Sequence, residues 1–78
     1  MCLGFPAKII KTDGSEALVD FLGVRTTVSV ELIEGACPGD YIMVHAGVAI
    51  TKMPEQEAEA TLLVFEELER LAGEPLNG

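Results

Sequence analysis

Seventy-eight residues with a formal net charge of -8 are enough for one modest core and leave no room for a second. The five bases, Lys8, Lys11, Arg25, Lys52 and Arg70, are scattered along the chain, which argues against nucleic acid as a partner because its phosphates are bound by clustered Lys and Arg. Two cysteines, Cys2 and Cys37, fall far short of a disulfide scaffold and read as free thiols. With no basic-then-apolar leader and no run near the roughly 20 apolar residues that cross a bilayer, a cytoplasmic protein away from membranes is expected.

Residues 7–12 read as a first strand, followed by Asp13-Gly14, the residue types that best supply the positive φ angles of a two-residue hairpin turn. Residues 17–22 return, with Ala17, Val19 and Phe21 on one face and Asp20 on the other, and Gly23 ends them. Residues 24–30 alternate most cleanly: Val24, Thr26, Val28 and Val30 against Arg25, Thr27 and Ser29, which predicts one half-buried face. A loop over 31–39 holds Cys37-Pro38-Gly39. Residues 40–45 resume the extended pattern, and Gly47 separates them from a fifth strand over 48–52. Five short strands in so small a chain favour closure, because a barrel removes the open edges that invite aggregation. The expected fold is mainly β, a small five-stranded OB-like β-barrel over about 6–53 with a C-terminal α-helix over about 54–72, all within one domain spanning 1–78.

The period changes in the tail. Pro54 suits the first helical position, and Glu55, Glu57 and Glu59 lie near the positive end of the helix. At 100° per residue, Ala58, Leu62, Phe65, Leu68, Leu71 and Ala72 share a broad arc with Val64 beside them, and this arc is expected to dock on the barrel. Leu63 falls among Glu59, Glu66, Glu67 and Arg70, either as a lone exposed Leu or as part of a contact surface. Gly73 is expected to cap the helix, and residues 74–78 to fray. Charge is uneven: six acids meet four bases up to residue 53, whereas seven Glu meet only Arg70 afterwards.

Enzyme motifs are missing. There is one histidine, no Gly-rich phosphate loop and no Cys-x-x-Cys pair, and the tail carboxylates read as a solvated helix face. Chemistry is left to Cys2 and His45. Cys2 reads as a small apolar residue that packs. It also reads as a reactive terminus: methionine aminopeptidases generally remove Met1 before a small side chain, and the amine and thiolate of an N-terminal cysteine could bind one metal ion together. Gly4 and Pro6 make its arm a poor helix start. His45 shares a strand face with Tyr41 and Met43, as a hydrogen-bonded strand-end histidine or as a partner to the thiol. Gly47 permits a bulge or the close approach of another backbone. Neither stretch sits at an obvious core-forming position, so the apolar faces are expected to be complete without a metal, and Cys37 is given no role.

Two stretches, "MCLGFP" and "GDYIMVHAGVAI", together resemble the HypC/HupF family of nickel-iron hydrogenase maturation chaperones. Cys2, Gly4 and Pro6 match its N-terminal motif; Val44, His45, Gly47 and Ala49 match its V-H-x-G-x-A segment; and "EQEAEATL" looks like its acidic lead into a C-terminal helix. The resemblance implies an OB-like barrel and helix with no catalysis of its own. It implies binding to the HypD scaffold protein, with HypE in a larger assembly complex, and then to the precursor of the hydrogenase large subunit. The function implied is to help assemble and deliver the Fe(CN)2CO centre of the active site. Carried over, Cys2 is the iron-centre ligand or transient bond and His45 a second ligand or orienting group. The partner-binding residues are Cys2, Leu3, Gly4, Phe5, Pro6 and His45. Iron is then transient and shared with HypD, and none is needed for folding; a soft thiolate suits low-spin iron better than a carboxylate does.

Pro54, where many relatives carry a polar or acidic residue, and Cys37 depart from the family pattern. Two other readings compete. A thiol-dependent enzyme would need His45 within about 3.2 Å of the Cys2 sulfur and a third group to orient the ring, for which no candidate is evident. An OB-fold oligonucleotide binder would need bases beside its stacking aromatics, whereas Phe5, Phe21, Tyr41 and Phe65 lie in an acidic background.

Overall fold

The computed structural model describes residues 4–72. In chain order it has β1 (Phe5–Asp13), β2 (Glu16–Phe21), β3 (Val24–Ser29), β4 (Tyr41–His45), β5 (Val48–Met53) and α1 (Glu55–Ala72). The strands close in the order β1-β2-β3-β5-β4, with β4 returning to β1. Every pairing is antiparallel except the β3–β5 seam, where Ser29 lies opposite Val48 and its N–H donates to the Gly47 carbonyl at 2.9 Å. This is the mainly β, closed five-stranded barrel with one C-terminal helix that the strand pattern predicts.

Alternation places the core. Ala7, Ile9, Ala17, Val19, Val28, Val30, Ile42, Val44 and Ala49 point inward and are no more than 6% exposed, and no described polar side chain is buried with them. Three alanines among them leave room for the larger Ile9 and Ile42, the small-against-large packing that a narrow barrel requires. Two extra residues bend the strands enough to close. Ile10 is unpaired between Ile9 and Lys11 in β1, and Ile50 between Ala49 and Thr51 in β5.

The turns differ in detail from the sequence expectation. Asp13 pairs with Glu16, so the first turn is Gly14-Ser15, one residue later than expected, with Gly14 at φ +63°. Leu22-Gly23 and Ala46-Gly47 each hold two consecutive positive φ angles, the signature of a type I′ hairpin. Gly47 is therefore a turn residue and not a bulge.

Two expected apolar faces are only partly buried. In β3, Val28 packs inside while Val24 is 64% exposed and Thr26 also faces solvent, because the β2–β3 hairpin extends past the barrel. Val30 lies just beyond the strand and is held by its N–H donating to the Ser15 carbonyl at 2.8 Å. In α1, Ala58 alone is fully buried and Thr61, Leu62 and Phe65 are half-buried; Val64, Leu68, Leu71 and Ala72 are exposed, against expectation. An 18-residue helix runs about 27 Å and rests on β1 and β4 with its first half alone, so its second half projects and the molecule measures 49 × 23 × 22 Å. Ala58 donates its N–H to the Pro54 carbonyl at 2.9 Å, which makes Pro54 the cap and Glu55 the first helical residue. Cys2, Leu3, the expected cap Gly73 and residues 74–78 lie outside the described residues. No described helix is long and apolar enough to cross a membrane.

Candidate functional site

The two sequence stretches meet at one edge of the barrel. β1 runs antiparallel to β4 with Phe5 opposite Val44, Pro6 opposite Met43, Ala7 opposite Ile42 and Lys8 opposite Tyr41. Continued by one residue, that register sets Gly4 across from His45. Alternation in β4 turns Ile42 and Val44 into the core and Tyr41, Met43 and His45 outward, with the imidazole exposed.

Gly4 passes close under the Met43 side chain. A Cβ there would lie 2.7 Å from Met43 Sδ, the movable end of that side chain, and 3.1 Å from the Val44 carbonyl oxygen, so a side chain at this position would push the thioether aside and crowd the β4 backbone. Pro6 follows near the start of the strand, where its missing N–H disturbs little of the ladder, and its ring is fully buried. Phe5 packs against Phe21 with centroids 4.6 Å apart and ring planes tilted by 45°, and Phe21 and Phe65 meet edge to face at 5.4 Å. The start of β1 is thus coupled to α1 through three rings. Pro6, Val44 and Ala49 belong to the core, which corrects the expectation that neither stretch contributes to it.

His45 closes β4 immediately before the Ala46-Gly47 turn and pairs with Val48. The turn directs β5 back along β4 and leaves the imidazole at the rim. Among the described residues, no three His, Cys, Asp or Glu side chains gather as metal ligands. Cys2, which the sequence pairs with His45, lies outside the described residues. Met43 was missed as a contributor to this edge; its signal was its place on the His45 face, two residues away.

A second polar feature lies elsewhere. Cys37 donates its N–H to Asp40 Oδ2 at 2.9 Å, and the Asp40 N–H returns to the Cys37 carbonyl at 3.0 Å, with Gly39 at φ +94° completing a type II turn over Pro38. Lys52 Nζ sits 3.3 Å from the Asp40 carboxylate and donates to the Gly35 carbonyl at 2.9 Å. The hydrogen bond from Cys37 above all, with Lys52 adding to it against partial desolvation, holds the Asp40 carboxyl below its usual range. Ile9 and Asp40 bond through their backbones at 2.8 Å, which pins this loop five residues along β1 from Gly4, about 17 Å away. The exposed Cys37 thiol therefore belongs to a loop clasp and takes no part in the Gly4–His45 edge.

A closed OB-like barrel whose first strand lies along the strand that ends in an exposed imidazole, and which carries a projecting helix, defines a small surface-presenting protein. The profile of the HupF/HypC family matches residues 1–65, and the chain belongs to that family. It is 45% identical to the hydrogenase maturation factor HypC of Cupriavidus necator, over 100% of this chain and 91% of the relative. It is 38% identical to HypC of Azotobacter chroococcum over 92% and 87%, and 36% identical to HypC of Escherichia coli K12 over 80% and 76%.

Proposed function

We propose that this protein is a hydrogenase maturation chaperone that binds a HypD-type scaffold and then the large-subunit precursor, and that it helps carry the Fe(CN)2CO centre between them. The observation that supports the reading is the β1–β4 register, in which Phe5 and Pro6 pair with Val44 and Met43 of the strand that ends in His45. Relatives named hydrogenase maturation factor support it. Cys2 is two residues from Gly4, so its Cα is tethered within about 7 Å of Gly4, and its thiol can be brought to the His45 rim.

Iron is cargo in this reading. The Cys2 thiolate supplies a ligand or a transient bond to it, and His45 orients or hydrogen-bonds at the same edge. Leu3, Gly4, Phe5 and Pro6 form the partner contact, and HypE joins through the scaffold. The chain performs no turnover of its own and works in the cytoplasm.

The experiment is complementation of hydrogenase activity in cells lacking the native chaperone. Cys2→Ser keeps the volume and replaces a soft, ionisable thiol with a hard hydroxyl, so maturation and stable scaffold complexes are expected to be lost while circular dichroism is unchanged. His45→Ala is expected to impair the same functions less completely. Full activity from a folded Cys2→Ser protein would sink the role of that sulfur.

A further inference from the structure

The β3–β5 seam that closes the barrel is a single rung, and it leaves the rest of β3 with an open edge. Ser29 lies opposite Val48, while residues 24–28 have no strand on the side away from β2. The two-residue turn Leu22-Gly23 makes Phe21 and Val24 a bonded pair. Bonded pairs then recur at Val19–Thr26 and Ala17–Val28, and the backbone groups of Arg25, Thr27 and Ser29 point the other way. Ser29 obeys this, since its N–H goes to Gly47 at 2.9 Å. Arg25 and Thr27 turn two N–H and two C=O groups outward with no strand to receive them, and residues 24–27 are all exposed.

A row of main-chain donors and acceptors that repeats every second residue is met by an extended polypeptide. This chain carries one that fits: β3 itself. A two-fold pairing of β3 with β3 has to set outward groups against outward groups. Centred on Arg25, it would lay two guanidinium groups side by side; centred on Thr27, it would call on Ser29, whose N–H is already given to Gly47. Centred on Thr26, it sets Arg25 against Thr27 of the second copy and Thr27 against Arg25, which satisfies every outward group on both edges. Two threonines then face each other at the centre, a favourable cross-strand pair. Val24, 64% exposed in one copy, comes opposite Val28 of the second copy.

Charge agrees with this register. Arg25 is held to Asp20 only at 3.9 Å. Beside Thr27 of the second copy it would face a shallow depression that Thr27 lines with Lys11, Asp13, Glu16 and Leu18, and along β2 Leu18 is flanked on that face by Glu16 and Asp20. Most of the net charge that opposes self-association lies after residue 53, where seven Glu meet Arg70, on a helix that rests on β1 and β4.

We infer that the open edge of β3 pairs antiparallel, about Thr26, with the same edge of a second copy. Five residues a side fall short of the about 1,200 Å² of a lasting interface, so the dimer is weak and reversible.

The test follows the full chain from about 20 µM to about 1 mM, the range in which so small an interface dissociates. Sedimentation should show the mass rising toward a dimer, with amide exchange slowing at Arg25 and Thr27. Thr27→Pro removes an outward N–H that the β2 ladder does not use, and should weaken association about tenfold. Register is read separately, in a Cys2→Ser/Cys37→Ser background. Thr26→Cys should cross-link to itself under mild oxidation, whereas Val24→Cys should not, because its two copies would lie about 13 Å apart along the strands, beyond disulfide reach. Should Thr27→Pro disturb the hairpin, the cysteine pair decides alone. A monomer at the highest concentration, a dimer indifferent to a folded Thr27→Pro, or equal cross-linking at Thr26→Cys and Val24→Cys would overturn the inference. None of these readouts uses iron or hydrogenase activity, so they succeed or fail apart from the chaperone reading.

Discussion

A methyl group added to Gly4 would lie 2.7 Å from the Met43 sulfur, closer than real Cβ contacts come. The pairing of Phe5 with Val44 puts that contact one register step from His45, with the thioether lying over the Gly4 backbone.

Gly4→Ala is accordingly expected to cost about 1 kcal/mol, the low end for overpacking, because the Met43 thioether can swing aside and the close approach to the Val44 carbonyl is what remains. Met43→Ala frees the space the new methyl needs, so the double variant should lose less than the sum of the two singles, by about 0.5 kcal/mol. Urea unfolding of the four proteins measures this. Strict additivity would show that Gly4 and Met43 do not touch.

The helix is expected to hang on its first half. Phe65→Ala removes the ring that meets Phe21 edge-on and should cost about 2 kcal/mol, below the range for a fully buried Phe because the ring is half-buried. Helical ellipticity should fall too, since an undocked helix of this length is marginal in water. Leu71→Ala, in the exposed half, should change stability by less than about 0.5 kcal/mol. Equal losses from the two substitutions would contradict the overhang.

The turn beside His45 holds a non-glycine residue, Ala46, at φ +55°. Asn tolerates this conformation better, so Ala46→Asn should raise stability by about 0.5–1 kcal/mol. Gly47 stands at φ +81° with open space where a Cβ would point. Gly47→Ala therefore meets no clash, and its expected cost of about 1 kcal/mol or more is backbone strain alone. Thermal melts of both variants check the pair; opposite signs are required.

Asp40 predicts an acid-sensitive clasp. Its carboxyl titrates below its ordinary value of 3.8 in the folded chain, chiefly through the Cys37 N–H and then through Lys52. A group with a depressed folded pKa adds stability above its unfolded pKa and loses that contribution as pH falls through the folded one. The melting temperatures of the wild type and Asp40→Asn should thus differ at pH 7 and converge below about pH 4. The difference should stay within about 1 kcal/mol, because the pair with Lys52 is partly exposed and screened. A gap that widened on acidification would reverse the sign and refute the clasp.

Much of this architecture is local and was legible in the chain. Period-two alternation from Ile42 to His45 assigns Val44 inward and His45 outward whatever the rest of the chain does, because successive strand side chains point to opposite faces. Paired positive φ angles need residues that tolerate them, so Gly23 and Gly47 announce turns, though Asp13-Gly14 shows that composition places a turn only to within a residue. The change of period at Pro54 marks a helix for the same local reason. The wider resemblance joined "MCLGFP" to "VHAGVA", but nothing local says that residues some forty positions apart lie side by side.

That neighbourhood was decided by closure. Bulges at Ile10 and Ile50 bend the strands so that β4 returns to β1, and the register of that seam sets Gly4 against Met43 and His45. Closure also limits what the barrel can cover. Val24 and Leu68 satisfy the apolar period of their own elements as well as Val28 and Leu62 do, yet they stay in solvent because hairpin and helix outrun the surface they pack on. Periodicity fixes which face of an element is apolar; how far along that face burial extends depends on where the neighbour lies against it, and only the assembled barrel supplies that.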